Sequence, residues 1–350
     1  MTMRRLAPIA LLPSVALTLA FLASSTALRA QEAPMPGGPP PASSAKPQDD
    51  GQDSDTQTLK VQVNLVNVYF SVRDKSGYIT NLKKEDCQVF ENKVEQPIRN
   101  FTQEKTLPLT IGILLDTSGS QTNVLPLEQQ AGAQFLKEVL TPKDEAFLIS
   151  FDVNVDLLAD YTNNAREIRR AMDKATINTG GGTGSVTGHG TPRGTLLYDA
   201  VYLAAHDKLR QEAGRKVLIL LTDGGENGSQ VKLEGAIEAA QKANALVYVI
   251  LIADSGGFGQ FGFGGGFEMD KLTKETGGRV INVGNNGKKL EEAFAQIQDE
   301  LRTQYLLSYT PLIKEQDGKF RKIDMTSGKG LKVQARKGYY ATPDSGGKDD

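Results

Sequence analysis

The sequence predicts an α/β fold, a doubly wound and mainly parallel sheet, together with a second, smaller all-β sandwich-like domain built from N- and C-terminal strands. Three observations support this prediction. Between residues 108 and 297, short runs of large aliphatic residues alternate with stretches of helical apolar periodicity, as in a parallel sheet covered by helices on both faces. Before this region, residues 61–72 alternate apolar and polar side chains, which is typical of a half-buried strand. After it, residues 305–309, 320–325 and 331–335 have the composition of further strands.

The elements of the α/β region follow from its apolar pattern. The predicted strands are residues 111–115, 145–151, 153–159, 217–221, 246–252 and 279–282. The predicted helices are residues 125–140, 163–174, 196–210, 233–243, 269–276 and 290–305. In the N-terminal β unit, residues 86–91 and 98–101 are predicted strands, with a turn at residues 91–93. Because ligands of doubly wound sheets bind beyond the carboxyl ends of the strands, polar residues directly after a strand are the candidates for a site.

Composition limits the possible functions. The chain has 350 residues, which favours more than one compact unit plus tails. It carries 40 basic and 42 acidic residues, a balance that indicates neither nucleic-acid binding nor a basic membrane patch. Cys87 is the single cysteine, so the chain has no internal disulfide and no multi-thiolate metal site. We expect Cys87 to be a small buried residue rather than a reactive thiol.

The N-terminus has the pattern of an export signal. Arg4 and Arg5 precede an apolar run at residues 6–22, which Pro13 interrupts, and small residues follow. A retained membrane anchor is the alternative, because the run is near the shortest helix that spans a bilayer. We therefore expect export to the periplasm, the cell surface or the medium, with no membrane span after signal removal. The predicted divisions are a signal peptide (1–30), a disordered Pro/Gly-rich linker (31–57), a β-strand unit (58–105), the α/β domain (106–303), C-terminal strands that pair with the first unit (304–342) and a disordered tail (343–350).

The candidate site begins directly after the first strand of the α/β region. Asp116, Ser118 and Ser120 stand at alternate positions and supply a carboxylate and two hydroxyls. Such hard oxygen ligands suit Mg²⁺. The alternative is that Asp116 or Ser118 only caps the helix that follows. Asp223 directly follows residues 217–221 at the end of a second buried strand, and Thr195 stands at the mouth of a helix.

In residue types and order, these five residues resemble the metal-ion-dependent adhesion site of von Willebrand factor type A (VWFA) domains, Asp-x-Ser-x-Ser followed by a Thr and an Asp. The resemblance implies that Asp116, Ser118, Ser120, Thr195 and Asp223 hold Mg²⁺ or Mn²⁺ and leave one coordination position open. A protein partner fills that position with an Asp or Glu carboxylate, and the module is not an enzyme. Gly119 and Gly224 are expected to let the loops approach closely.

Two further segments resemble a narrower family, the exported bacterial VWFA-related acidobacterial proteins. These are residues 74–101 and the C-terminal pieces QYLLSYTP and ARKGYYA. Where this chain has Cys87, that family has an aromatic residue. The resemblance again implies an exported protein.

Two alternatives to the adhesion-type function remain, a metal-dependent hydrolase and a structural envelope scaffold. A hydrolase needs a general base, for which Glu226 is the candidate; Ser118 lies in no Gly-x-Ser-x-Gly motif. The Gly-rich stretch at residues 180–194 lacks the ending of a phosphate-binding loop, and neither His189 nor His206 has a second histidine at metal-ligand spacing. The phenylalanines of residues 256–267 either contact a partner or fold back onto the domain.

Overall fold

The structure is a computed structural model that describes residues 65–178, 194–252, 265–328 and 330–342. The predicted signal peptide, linker and C-terminal tail lie outside the described residues. So do most of the Gly-rich stretch, with His189, and the segment that carries Phe258, Phe261 and Phe263. Within the described ranges, none of the helices combines the length and the apolar character that crossing a bilayer requires.

The described part of the chain begins and ends with β-strands. In chain order, the strands are β1 (Val66–Arg73), β2 (Cys87–Glu91), β3 (Val94–Gln96), β4 (Ile98–Gln103), β5 (Leu109–Asp116), β6 (Glu145–Phe151), β7 (Val155–Thr162), β8 (Arg215–Thr222), β9 (Ala245–Leu251), β10 (Val280–Asn282), β11 (Tyr305–Tyr309), β12 (Phe320–Ser327), β13 (Lys332–Ala335) and β14 (Gly338–Tyr340). The helices are α1 (Leu125–Val139), α2 (Ala165–Met172), α3 (Leu197–Leu203), α4 (Leu233–Lys242), α5 (Gly265–Thr276) and α6 (Gly287–Arg302).

The central sheet confirms the predicted α/β fold. It has six strands in the order β10-β9-β8-β5-β6-β7. All neighbouring strands are parallel except β7, which runs antiparallel to β6. β5 and β8 are buried along their whole lengths because helices cover both faces of the sheet. One face packs against α1, α2 and α6, and the other against α3, α4 and α5.

The position of β5 at the centre of the sheet sets up the candidate site. β5 pairs with β8 on one side and with β6 on the other. Leu115 lies opposite Leu221, and Asp116 lies opposite Phe151. Because these strands are parallel, their carboxyl ends meet at one edge of the sheet, where the loops that follow them come together.

The smaller β region consists of two antiparallel four-stranded sheets, in the orders β13-β1-β11-β4 and β14-β12-β2-β3. Each sheet combines strands from before and after the α/β part, as the predicted fold class requires. Their shared core contains Val68, Phe70 and Ile323, and the ring of Tyr305 stacks on Phe70 at 5.5 Å between centroids. Cys87 belongs to this core and is buried, as expected.

Three sequence-based assignments need correction. The closing helix, predicted at residues 290–305, ends at Arg302, whereas the strand predicted at residues 305–309 is confirmed as β11, with the ring of Tyr305 in the sandwich core. The helix predicted at residues 196–210 changes after α3 into a π-helical turn, Ala204–Leu209. The short strand β3 was not predicted; it pairs with β2 across the turn at Asn92 and Lys93, both of which have positive φ.

Candidate metal site

Asp116 is the innermost residue of the candidate site. It is the last residue of β5, and its side chain is 0% exposed. The Ser118 backbone N–H donates to its Oδ1 at 2.9 Å, and the Thr222 hydroxyl donates to its Oδ2 at 2.6 Å. These two bonds fix the carboxylate between the loop after β5 and the end of β8.

Ser118 and Ser120 extend the site from this buried carboxylate toward solvent. Their hydroxyl oxygens lie 3.0 Å apart, Ser118 is buried and Ser120 is exposed. A single turn of 3-10 helix, Gly119–Gln121, places the second hydroxyl next to the first. A Cβ on Gly119 would meet no atom within 4 Å, so the expectation that this glycine permits a close approach is wrong.

Asp223 reaches the same edge of the sheet through β8. It directly follows Thr222, the buried donor to Asp116, and is itself half-buried. Its Oδ1 accepts a hydrogen bond from the Gly225 N–H at 2.8 Å. Gly224 has a φ of +81°, which favours glycine, and its N–H donates to the Thr222 hydroxyl oxygen at 3.0 Å. The chain therefore turns sharply and keeps Asp223 near Asp116.

Thr195 is attached to the site by backbone hydrogen bonds on two sides. Its N–H donates to the Asn227 carbonyl at 2.9 Å, and its carbonyl accepts from the Asn227 N–H at 3.0 Å, which ties it to the loop after Asp223. The next residue, Leu196, donates its N–H to the Asp152 carbonyl at 2.8 Å. Asp152 in turn accepts from the Thr117 hydroxyl at 2.8 Å, so Thr195 is also tied to the loop after β5.

The electrostatics of the site favour a cation. Burial raises the pKa of Asp116 to about 7, and the charge of Asp223 adds to the rise, although hydrogen bonds from Ser118 and Thr222 oppose it. A positive ion held by these residues would offset both contributions. Among the described residues, no three His, Cys, Asp or Glu side chains converge closely enough to bind a metal on their own. The available donors are thus two carboxylates, hydroxyls and water, a set that fits Mg²⁺ or Mn²⁺.

Sequence reasoning missed two residues that position the site, Thr222 and Asp152. Thr222 ends an apolar strand and so resembles an ordinary β-branched strand residue. Its position directly before Asp223 is the sequence feature that could have identified it. Asp152 lies in the turn between β6 and β7, where an aspartate is ordinary. Only the tertiary structure shows that its side chain links the Thr117 loop to Asn178.

Glu226 stabilises the loop that follows β8. Its Oε2 accepts hydrogen bonds from the Tyr198 N–H at 3.1 Å and the Ser229 hydroxyl at 2.9 Å, and its Oε1 accepts from the Ser229 N–H at 3.0 Å. Both oxygens of the nominated general base therefore accept hydrogen bonds, and Oε2 holds the start of α3 through the Tyr198 N–H. His206 pairs with the neighbouring Asp207 at the surface. Phe267 is 74% exposed, so this ring does not fold back onto the domain.

Comparisons with known proteins bear on the fold. No protein-family model matches the chain, and no curated protein matches it. Among solved structures, the vWF domain of the type V pili tip protein Mfa5 from Porphyromonas gingivalis is 14% identical, with a TM-score of 0.41 over 57% of this chain and 96% of that one. The conserved hypothetical protein BatB from Bacteroides thetaiotaomicron is 17% identical, with a TM-score of 0.41 over 55% of this chain and 99% of that one.

A third similar structure is proximal thread matrix protein 1 from the mussel byssus, solved with a zinc-occupied MIDAS motif. It is 18% identical, with a TM-score of 0.44, and the match covers 59% of this chain and 48% of that one. The SpRpn10 VWA domain also matches, at 13% identity and a TM-score of 0.38 over 55% of this chain and 95% of that one.

Proposed function

We propose that this chain is an exported, non-enzymatic protein-binding module that uses a bound divalent cation as the bridge to its partner. Asp116, Ser118, Ser120, Thr195 and Asp223 hold Mg²⁺ or Mn²⁺ at the edge of the central sheet. An Asp or Glu carboxylate of the partner completes the coordination. Export rests on the signal-like pattern of residues 1–30.

The buried carboxylate of Asp116 is the observation that carries this proposal. It sits 0% exposed, and burial together with the charge of a second acid, Asp223, raises its pKa to about 7. An acid in such a place destabilises the fold unless something positive compensates it. The row of hydroxyls from Ser118 to Ser120 leads from this acid to the surface, where a partner has access.

The ligand types explain why the partner supplies a carboxylate. Ser and Thr hydroxyls are neutral ligands and leave the charge of the cation in place. Because Mg²⁺ and Mn²⁺ prefer oxygen ligands and exchange their waters, an anionic oxygen is the favoured incoming group. The cation supplies this electrostatic bridge when it is bound, and the chain positions it at an accessible edge.

The hydrogen bonds that Glu226 accepts favour a binding role over hydrolysis. A general base must be within reach of the proton that it abstracts. The Glu226 carboxylate is instead held against its own loop and the start of α3, where Oε2 accepts two hydrogen bonds and Oε1 accepts one, from Tyr198 and Ser229. Releasing this side chain would unfasten the start of α3.

Thermal unfolding and calorimetric titration test the metal step. We expect Mg²⁺ or Mn²⁺ to raise the Tm of the wild-type chain above its value in EDTA, by an amount that grows with cation concentration. Asp116→Asn should lose this response and still fold, because the amide oxygen can accept from the Ser118 N–H and the amide nitrogen can donate to the Thr222 hydroxyl oxygen. Asp156→Asn, which changes an exposed acid on β7, is the matched control. An equal cation response in wild type and Asp116→Asn would remove the metal from the proposal.

Selection from a displayed library of random peptides tests the bridge itself. Peptides retained on the Mg²⁺-loaded chain and released by EDTA should contain Asp or Glu. The same peptides should fail to bind Asp116→Asn. Enrichment of peptides without an acidic residue, or retention in EDTA, would contradict a carboxylate bridge.

A further inference from the structure

Glu128 is a buried acid that none of the roles described above uses. It lies in the first turn of α1, the helix that follows the loop carrying Ser118 and Ser120. Its side chain is 0% exposed. Within the described part of the chain, neither of its carboxylate oxygens has a hydrogen-bond partner. A carboxylate buried without donors is costly, so its presence calls for a positive or donating group beyond those that the described residues supply.

Gln121 repeats this observation on the same segment. It ends the turn of 3-10 helix that contains Ser120, and its side chain is 1% exposed. Its Oε1 and Nε2 atoms also lack hydrogen-bond partners among the described residues. Two buried and unpartnered polar side chains thus flank the start of α1. A purely apolar contact between α1 and the sheet would contain neither of them.

The electrostatics place Glu128 close to the candidate site. Burial raises the pKa of Glu128 well above its ordinary value, and the charges of Asp116 and then Asp223 raise it further. Asp116 and Asp223 belong to different strands, β5 and the loop after β8. Both acids therefore act on Glu128, which lies in the first turn of the helix that follows the turn with Ser120.

We propose that Glu128 is a third acidic group of the cation centre, which stabilises the bound ion through intervening water molecules and destabilises the metal-free protein. This inference rests on the proposed function. Because no three acidic side chains of the described residues converge at ligand distance, Glu128 acts outside the direct ligands. Mg²⁺ keeps several of its waters when it binds to proteins, and a nearby carboxylate accepts hydrogen bonds from such waters. Gln121 supplies a donor and an acceptor to the same waters.

Glu128→Gln tests the proposal, since it keeps the size of the side chain and removes its charge. In EDTA, the variant should have a higher Tm than the wild type because the unpartnered acid is gone. In a Mg²⁺ titration by calorimetry, its affinity should fall by about ten- to a hundredfold, as is typical for groups just outside the direct ligands. A structural role alone would not move the two measurements in opposite directions.

Two further variants keep the test decisive. Glu138→Gln changes an exposed acid on the same helix and should alter neither measurement. Glu128→Met fills the same volume without any polar atom, so it should also raise the Tm in EDTA and weaken Mg²⁺ binding. It serves in place of Glu128→Gln if that variant does not fold.

The outcomes separate this inference from the proposed function. If the wild type and Glu128→Gln bind Mg²⁺ equally well and Asp116→Asn does not bind it, the role of Glu128 is overturned and the proposed function stands. If the wild type shows no Mg²⁺ binding, both are overturned. A lower Tm of both Glu128 variants in EDTA would also overturn the inference, because Glu128 would then stabilise the metal-free protein.

Discussion

Glu300 provides a stability prediction that does not depend on any metal. It lies near the end of α6, in the α/β part, and is 1% exposed. Five side chains donate hydrogen bonds to its two oxygens: Ser71 (3.2 Å), Tyr248 (2.8 Å) and Gln334 (2.6 Å) to Oε1, and Tyr78 (2.7 Å) and Arg279 (3.0 Å) to Oε2. Ser71 and Gln334 belong to the sandwich strands β1 and β13, whereas Tyr248 belongs to β9 of the central sheet. One carboxylate therefore joins the two folded parts.

The size of the effect follows from this geometry. Glu300→Ala would leave Arg279, whose side chain is only 17% exposed, without its anionic partner. Removing one member of a buried ion pair costs about 3–5 kcal/mol. The Tyr248 hydroxyl, which is fully buried, would lose its acceptor as well. We expect the free energy of unfolding to fall by about 4 kcal/mol, a large part of the roughly 5–15 kcal/mol of a typical domain.

Glu300→Gln should lie between the alanine variant and the wild type. The amide keeps the volume and one acceptor oxygen, but its nitrogen is a donor that faces other donors. We expect a loss of about 2–3 kcal/mol. Urea denaturation followed by circular dichroism measures both variants, and Glu291→Gln, which changes an exposed acid on the same helix, is the control. A loss below about 0.5 kcal/mol for Glu300→Gln would refute the reasoning, since changes of that size are typical of surface positions.

Three further predictions concern the site. Thr222→Val removes the donor to Asp116. At a pH above the pKa of Asp116, the free energy of unfolding should therefore fall by about 1.5–3 kcal/mol, whereas the control Thr110→Val, at a buried β5 position, should cost less. Equal losses for the two variants would show that the Thr222–Asp116 hydrogen bond does not account for the effect. Asp152→Ala removes the side-chain link from the Thr117 hydroxyl to the turn that holds Leu196, while the backbone bond from Thr117 to Phe151 stays. It should weaken Mg²⁺ binding about tenfold in a calorimetric titration, and an unchanged affinity would show that the link is dispensable. The raised pKa of Asp116 means that the folded state binds this proton more tightly than the unfolded state does. The contribution of that proton to the free energy of unfolding is therefore present below pH 3.8 and is lost as the pH rises toward about 7. Mg²⁺ affinity should rise over the same pH range and then level off. Denaturation in EDTA and Mg²⁺ titrations across this window check both trends, and Asp116→Asn should show neither.

Much of the fold could be predicted from the sequence because β5 and β8 carry uninterrupted aliphatic runs. Such runs occur in strands buried on both faces, and helices between them allow few other arrangements. One error, the end of the closing helix, falls where a residue fits two elements. Tyr305 continues the helical periodicity of α6, but its ring is needed in the sandwich core beside Phe70. A single-sequence pattern contains no information on which of these contacts is stronger.

The candidate site also has residues whose proximity could be predicted from the sequence and one whose role could not. Asp116, Ser118 and Ser120 are adjacent in the chain, and Asp223 follows a strand that pairs with β5, so their proximity could be predicted. Glu128 could not, because an acid in the first turn of a helix is ordinarily an exposed partner of the helix dipole. Its burial depends on how α1 packs over the end of the sheet, which is a tertiary property.

On the proposed function, the burial that destabilises this site without a cation would also contribute to its affinity for one. Asp116 is held 0% exposed by the sheet on which it lies, and its repulsion by Asp223 is a cost of the metal-free fold. A bound cation would relieve this repulsion, and the free energy recovered would add to the free energy of cation binding. Substitutions that relieve the repulsion should therefore raise the stability of the metal-free protein and weaken cation binding together. A variant such as Asp116→Asn or Glu128→Gln that gains stability in EDTA and also retains full Mg²⁺ affinity would break this coupling, and with it the argument that burial of the acids serves binding.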